Sequence, residues 1–183
     1  MGKLIYKSLP DMSKARNRVD NPKVIFDEVK VGPHLAKFAK GKKYVIKTFG
    51  CQANVRDEEI LSGYLEKAGF IKTDNDREAD LAIINTCAVR ENAEEKVYGE
   101  IGKFKVNKTN NKDFILCVCG CMMQEEGSAD YIMKTYPHVS LVFGTHNVNK
   151  ILDLLEEKIA RNKKLVDVYS FAGDVIENLP SVR

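Results

Sequence analysis

The sequence predicts an α/β fold: a mostly parallel sheet with helices on both faces, preceded by an irregular N-terminal arm. Three observations predict it. Segments that read as strands alternate with segments that read as helices from residue 42 onward, the pattern of a parallel sheet with crossover helices. Two of the strand segments, DLAIINT at 80–86 and DFILCVC at 113–119, are almost continuously apolar, as strands covered on both faces are. The 183 residues are 44% hydrophobic and 30% charged, which suits a globular chain long enough to bury a core.

Taken in order, residues 1–41 show no sustained period and hold three of the five prolines, with a short helix expected around Leu35 to Ala39. KKYVIKTFG at 42–50 is β-branched and aromatic and ends on Gly, which predicts a strand. An amphipathic helix follows from Asn54 to Ala68, with Val55, Ile60, Leu61, Tyr64 and Leu65 as its apolar positions and Gly69 as its stop. After the strand at 80–86, residues 88–105 read as a helix. The strand at 113–119 is followed by a helix from Met122 to Tyr136, a strand from Val139 to Phe143, a helix from Val148 to Ala160, and a last strand from Lys164 to Val168. The domain boundaries expected are a basic extension at 1–41, a folded domain at 42–170 and a linker at 171–183.

Charge is uneven. Residues 1–43 carry eleven Lys and Arg against four Asp and Glu, and the remainder is mildly acidic. The arm reads as a solvated extension, or as a segment that touches nucleic acid or a neighbouring domain. No apolar run approaches the roughly 18 residues of a membrane helix. The first twenty residues also lack the apolar stretch of a signal peptide. A cytoplasmic protein with reduced cysteines is therefore expected. There is no GxGxxG and no GxxxxGK[ST] to suggest a nucleotide fold.

The chemistry lies in five cysteines. Cys51 follows the first of these strands, Cys87 the second and Cys121 the third, each at a strand-to-helix turn. In a parallel sheet those turns share the carboxyl edge, where such folds bind ligands. Three distant thiols should thus converge. Helix N-termini favour thiolates there. Three thiolates can hold a [4Fe–4S] cluster at three of its four irons. A zinc ion with one open position is the rival, and three unrelated buried thiols the plain alternative. Cys117 and Cys119 sit inside the strand before Gly120 and read as small core residues. Gly50 and Gly120 would admit a bulky group close to the backbone. Asn54, Asn85 and Gln124 could hydrogen-bond to ligand sulfurs, or simply cap and bond loops. Arg90 could face an anion or pair with Glu94. The three histidines show no metal spacing.

TFGCQAN, INTCAVRENAEEKVYGEIG, GCMMQ and FGTHN, in this order and spacing, closely resemble the N-terminal domain of the radical-SAM methylthiotransferases, over about residues 42–183. Within that family the resemblance is strongest to the branch acting on isopentenyladenosine beside the anticodon of tRNA. It implies that Cys51, Cys87 and Cys121 hold a [4Fe–4S] cluster whose open iron delivers sulfur. It also implies a second cluster and S-adenosylmethionine in a radical-SAM domain, followed by an RNA-binding barrel. The CxxxCxxC motif of the radical domain is missing from these 183 residues, so the chain is expected to be a fragment that does not turn over alone. Related substrates are threonylcarbamoyladenosine in tRNA and a ribosomal-protein aspartate. A non-catalytic three-cysteine docking module is the reading from a different class.

Overall fold

A computed structural model describes residues 29–87 and 93–168, together with the backbone of three short strands at 5–8, 24–26 and 175–177. In chain order the strands are β1 (Ile5–Ser8), β2 (Val24–Phe26), β3 (Lys43–Phe49), β4 (Ile71–Lys72), β5 (Leu81–Thr86), β6 (Ile115–Gly120), β7 (Leu141–Phe143), β8 (Leu165–Asp167) and β9 (Val175–Glu177). Seven of them form one sheet in the order β1-β8-β7-β6-β5-β3-β4, and every pairing in it is parallel. β2 and β9 form a separate parallel pair. The helices are α1 (Pro33–Ala39), α2 (Gln52–Ala68), α3 (Ala93–Lys103), α4 (Lys105–Asn110), α5 (Ser128–Thr135) and α6 (Ile151–Arg161).

Period-two alternation along the strands sorts the sheet into two cores. Tyr44, Ile46, Leu81, Ile83, Cys117, Cys119, Leu141 and Phe143 point to one face, where Leu35 of α1, Leu61 and Leu65 of α2, and Ile151 and Leu155 of α6 cover them. Val45, Ala82, Ile84, Leu116, Val118 and Val142 point to the other, against Val97 and Ile101 of α3 and Ile132 and Met133 of α5. Every residue of β5 and β6 is buried, which is why both read as unbroken apolar runs.

One expected helix is divided and another ends two residues early. The one from Met122 to Tyr136 is a 3-10 turn at Cys121–Gln124 and then α5, because Gly127 takes a left-handed backbone (φ 83°) between them. The one over 88–105 is α3, starting at Ala93, with α4 as a separate short helix beyond Phe104. Its first part, with Arg90, lies outside the described residues. Val55 is half exposed rather than core; Asn54 takes the inward place at that turn and is 2% exposed.

The beginning of the chain is fastened to its later part. β1 lies beside β8 at the sheet edge. Glu156 of α6 accepts hydrogen bonds from the first-turn N–H groups of His34 (3.2 Å) and Leu35 (2.6 Å) in α1, so a carboxylate from one helix satisfies the open donors of another. Those bonds, with the His34 ring beside them, outweigh burial and hold the Glu156 carboxyl below its usual range. Gly32 leaves no room for a side chain, since a Cβ there would run into Glu156.

Candidate functional site

Register places the three turn cysteines together. Phe49 of β3 is level with Thr86 of β5, and Thr86 is level with Gly120 of β6. Cys51, Cys87 and Cys121 follow these residues by two, one and one positions. Neighbouring strands lie about 4.8 Å apart, so three consecutive strands release their cysteines onto one short stretch of the carboxyl edge. Cys51 is exposed, Cys121 half-buried and Cys87 buried. Among the described residues, no three His, Cys, Asp or Glu side chains are gathered tightly enough to hold a metal ion.

Asn54 joins the turns. Cys51 occupies the N-cap position of α2, and Asn54, three residues on, accepts at Oδ1 from the Cys51 N–H (3.2 Å) and the Cys51 thiol (3.5 Å). The other end of its amide donates to Asn85 Oδ1 (3.1 Å) and to the Thr86 carbonyl (3.0 Å). Asn85 returns a bond from Nδ2 to the Asn54 carbonyl (2.8 Å). The two buried amides therefore satisfy each other while pinning the Cys51 turn to the strand that ends at Cys87. Thr86, which the sequence reading passed over, completes the link. Its hydroxyl donates to the Cys119 carbonyl (2.8 Å), and its own carbonyl accepts from the Cys121 thiol (3.6 Å). Its position one residue before a turn cysteine was the available signal.

The two glycines are demanded by close approach. Gly120 has φ 107° and ψ −177°, a region that only glycine enters readily, and a Cβ there would collide with the Thr86 carbonyl. At Gly50 a Cβ would collide with the Asn54 side chain and lie 2.9 Å from the Cys87 Cβ. The turn at Gly120 also separates Cys121 from the strand cysteines. Cys117 and Cys119 are fully buried in the apolar core, and burial drives both thiols to pKa values well above the usual range.

Gln124 lies against Gly144 of the FGTHN turn, and its Nε2 is buried without a hydrogen-bond partner among the described residues. In the same turn Asn147 donates to the Asp167 carbonyl (2.7 Å). His34 and His138 engage Glu156 and the Ile101 carbonyl, away from the cysteines.

Asp57, half-buried one turn beyond Asn54, has its carboxyl pushed up to about 6 by burial, which the nearby Arg56 charge only partly offsets. Between about pH 4 and 6 the folded chain keeps a proton that the unfolded chain releases, so stability falls as pH rises through that window and the cost is complete above it. Asp57→Asn should therefore raise stability at pH 7 by about 1–3 kcal/mol, with the gain vanishing near pH 4. Urea unfolding at the two pH values measures it, and an equal change at both would refute it.

The model of the uncharacterized protein family UPF0004 matches residues 43–144. Several bacterial proteins named tRNA-2-methylthio-N(6)-dimethylallyladenosine synthase are similar to this chain. The one from Malacoplasma penetrans is 46% identical over 175 residues, 96% of this chain and 36% of the relative. Those from Oceanobacillus iheyensis and Bacillus subtilis are 42% and 41% identical, over 95% of this chain and 34% of each relative. The chain thus spans about a third of the length of the curated relatives it matches. With 175 of 183 residues aligned, the similarity runs well into the first 41 residues, where the sequence motifs alone carried none.

Proposed function

The chain belongs to the uncharacterized protein family UPF0004, and from that premise we propose that it is the N-terminal, sulfur-delivering portion of a tRNA methylthiotransferase acting on N6-dimethylallyladenosine. The observation that carries this reading is the level row Phe49–Thr86–Gly120, from which three cysteines emerge side by side.

Cys51, Cys87 and Cys121 are the residues that would hold a [4Fe–4S] cluster. The donor set suits it, and the side-chain-free backbone at Gly50 and Gly120 keeps the turns closely packed beneath it. When bound, such a cluster supplies one iron free of cysteine at which sulfur can be carried. The residues of the chain do the rest. Cys51 stands at the N-cap of α2, exposed toward the ligand side of the sheet edge. The Asn54–Asn85 pair fixes the spacing of the Cys51 and Cys87 turns. Gln124 keeps a free amide donor beside the Cys121 turn, suited to a ligand acceptor or to sulfur. The second cluster, S-adenosylmethionine and the tRNA-binding barrel belong to the remainder of a longer polypeptide; residues 42–170 carry the cluster ligands, β1 and α1 complete the same fold, and 171–183 lead toward that remainder.

The test compares this chain with a version extended to the relatives' length, both reconstituted anaerobically with iron and sulfide. The short chain should take up iron and sulfide but form no 5′-deoxyadenosine and leave tRNA unmodified, while the extended chain should methylthiolate tRNA bearing dimethylallyladenosine. Preference for threonylcarbamoyladenosine would reassign the substrate. Stoichiometric zinc in place of iron would replace the reading by that of a metal-binding module.

A further inference from the structure

A groove of about 610 Å³ opens at the amino edge of the sheet, the side away from the cysteines. It runs between the turn at Asp76–Glu78, which leads into β5, and the α3–α4 junction, which leads toward β6. Asp76, Arg77, Lys103, Phe104, Val106, Asn107 and Asn110 line it. Asn107 donates to the Asp76 carbonyl (2.6 Å) and holds the two walls together. Its size lies within the ~300–1,000 Å³ range of ligand clefts.

The charge around it is one-sided. KFKVNKTNNK, residues 103–112, has four lysines and no acid. Asp76 in the groove wall is engaged with Lys47 (2.7 Å), and the flanking Glu78 and Glu100 with Lys43 (2.5 Å) and Lys103. Arg77, Lys105 and Lys112 are exposed and form no ion pair among the described residues. Within this basic rim Val106 is 59% exposed, above the buried Phe104 ring, with the Asn110 amide exposed beside it. Cations for phosphates, amides for base edges and an exposed apolar side chain against a base are the combination that binds a nucleic acid strand.

We propose that the groove between the Asp76–Glu78 turn and the α3–α4 junction is an RNA-binding surface that grips the substrate's backbone at a distance from the sulfur site. This rests on the reading of the chain as part of a tRNA-acting enzyme. The seven residues of β3 span roughly 20 Å from one edge to the other. The groove therefore holds RNA away from the reacting nucleoside and orients it without touching the chemistry.

The experiment measures binding of an unmodified tRNA transcript to the 183-residue chain by fluorescence anisotropy over a series of salt concentrations. The double variant Arg77→Glu/Lys105→Glu should weaken binding about tenfold or more and flatten the salt dependence. Asn110→Ala should weaken it by a smaller factor and leave the salt slope unchanged, because it removes an amide and no charge. Lys37→Glu, on α1 across the sheet, should bind like wild type. Unchanged binding by the double variant, an equal loss in Lys37→Glu, or no binding by the wild-type chain would each overturn the proposal. None of these results touches tRNA modification by the extended chain, which tests the enzyme reading separately. A salt-insensitive groove that is buried in the extended chain would identify it as a contact between domains and overturn the proposal as well.

Discussion

Alanine at Cys51, Cys87 or Cys121 should abolish stable uptake of iron and sulfide, while alanine at Cys119 or Cys117 should leave it intact. The expectation separates five thiols by their surroundings. The first three follow the ends of three adjacent strands, Cys51 exposed, Cys121 half-buried and Cys87 buried. The other two are fully buried among Leu81, Ile83, Leu141 and Phe143. Burial raises both of their thiol pKa values, and at Cys119 the neighbouring Cys117 and Asp57 charges push the same way. A group that resists forming a thiolate is a poor ligand. Removing either sulfur should cost only about 1–2 kcal/mol of packing. Visible absorbance after anaerobic reconstitution, with circular dichroism to confirm folding, reads both effects. A folded Cys119→Ala chain that cannot hold the cluster would sink the assignment.

Gly120→Ala should be the most damaging single methyl in the domain. The residue needs φ 107° in a region essentially reserved for glycine, and the new Cβ would collide with the backbone of Thr86, which has no flexible end to swing aside. Thr86 is itself fixed on both sides, by its hydroxyl bond to the Cys119 carbonyl and by the Asn54 amide on its own carbonyl. The expected loss is about 3 kcal/mol or more. Loss of cluster uptake should accompany it, because the same turn delivers Cys121. Gly99→Ala is the comparison: that glycine lies within α3 with nothing within 4 Å of a Cβ, so stability should hold or rise slightly. Urea unfolding of the two variants decides the matter, and similar midpoints would show that the turn is not strained by a side chain.

The sheet and its cysteine turns were legible because both depend on patterns that tertiary structure reinforces. Long apolar runs at β5 and β6 can be satisfied only between two helical layers. The position of a cysteine one or two residues past such a run then fixes its edge. What escaped notice depends on single backbone angles or distant partners. Met122, Met123, Ala129, Ile132 and Met133 all reach the same core, so their spacing reads as one helix although Gly127 breaks it. Val55 and Asn54 exchange the expected places because a buried amide that meets Asn85 is fully bonded, a compensation that lies 31 residues away. β4 is two residues long and exposed, too short for any period to register. The strands of the first 26 residues have partners only at the far end of the chain.

That last pairing constrains how the protein is made. β1 leaves the ribosome long before the strand beside it in the sheet, β8, which begins at Leu165. The carboxylate that closes the first turn of α1 belongs to Glu156. Both contacts with the earlier segments form only once the residues up to 167 have been synthesised. An all-parallel sheet lengthens the wait, because every adjacent pair needs a crossover before it can form, and distant pairings set the slowest step of folding.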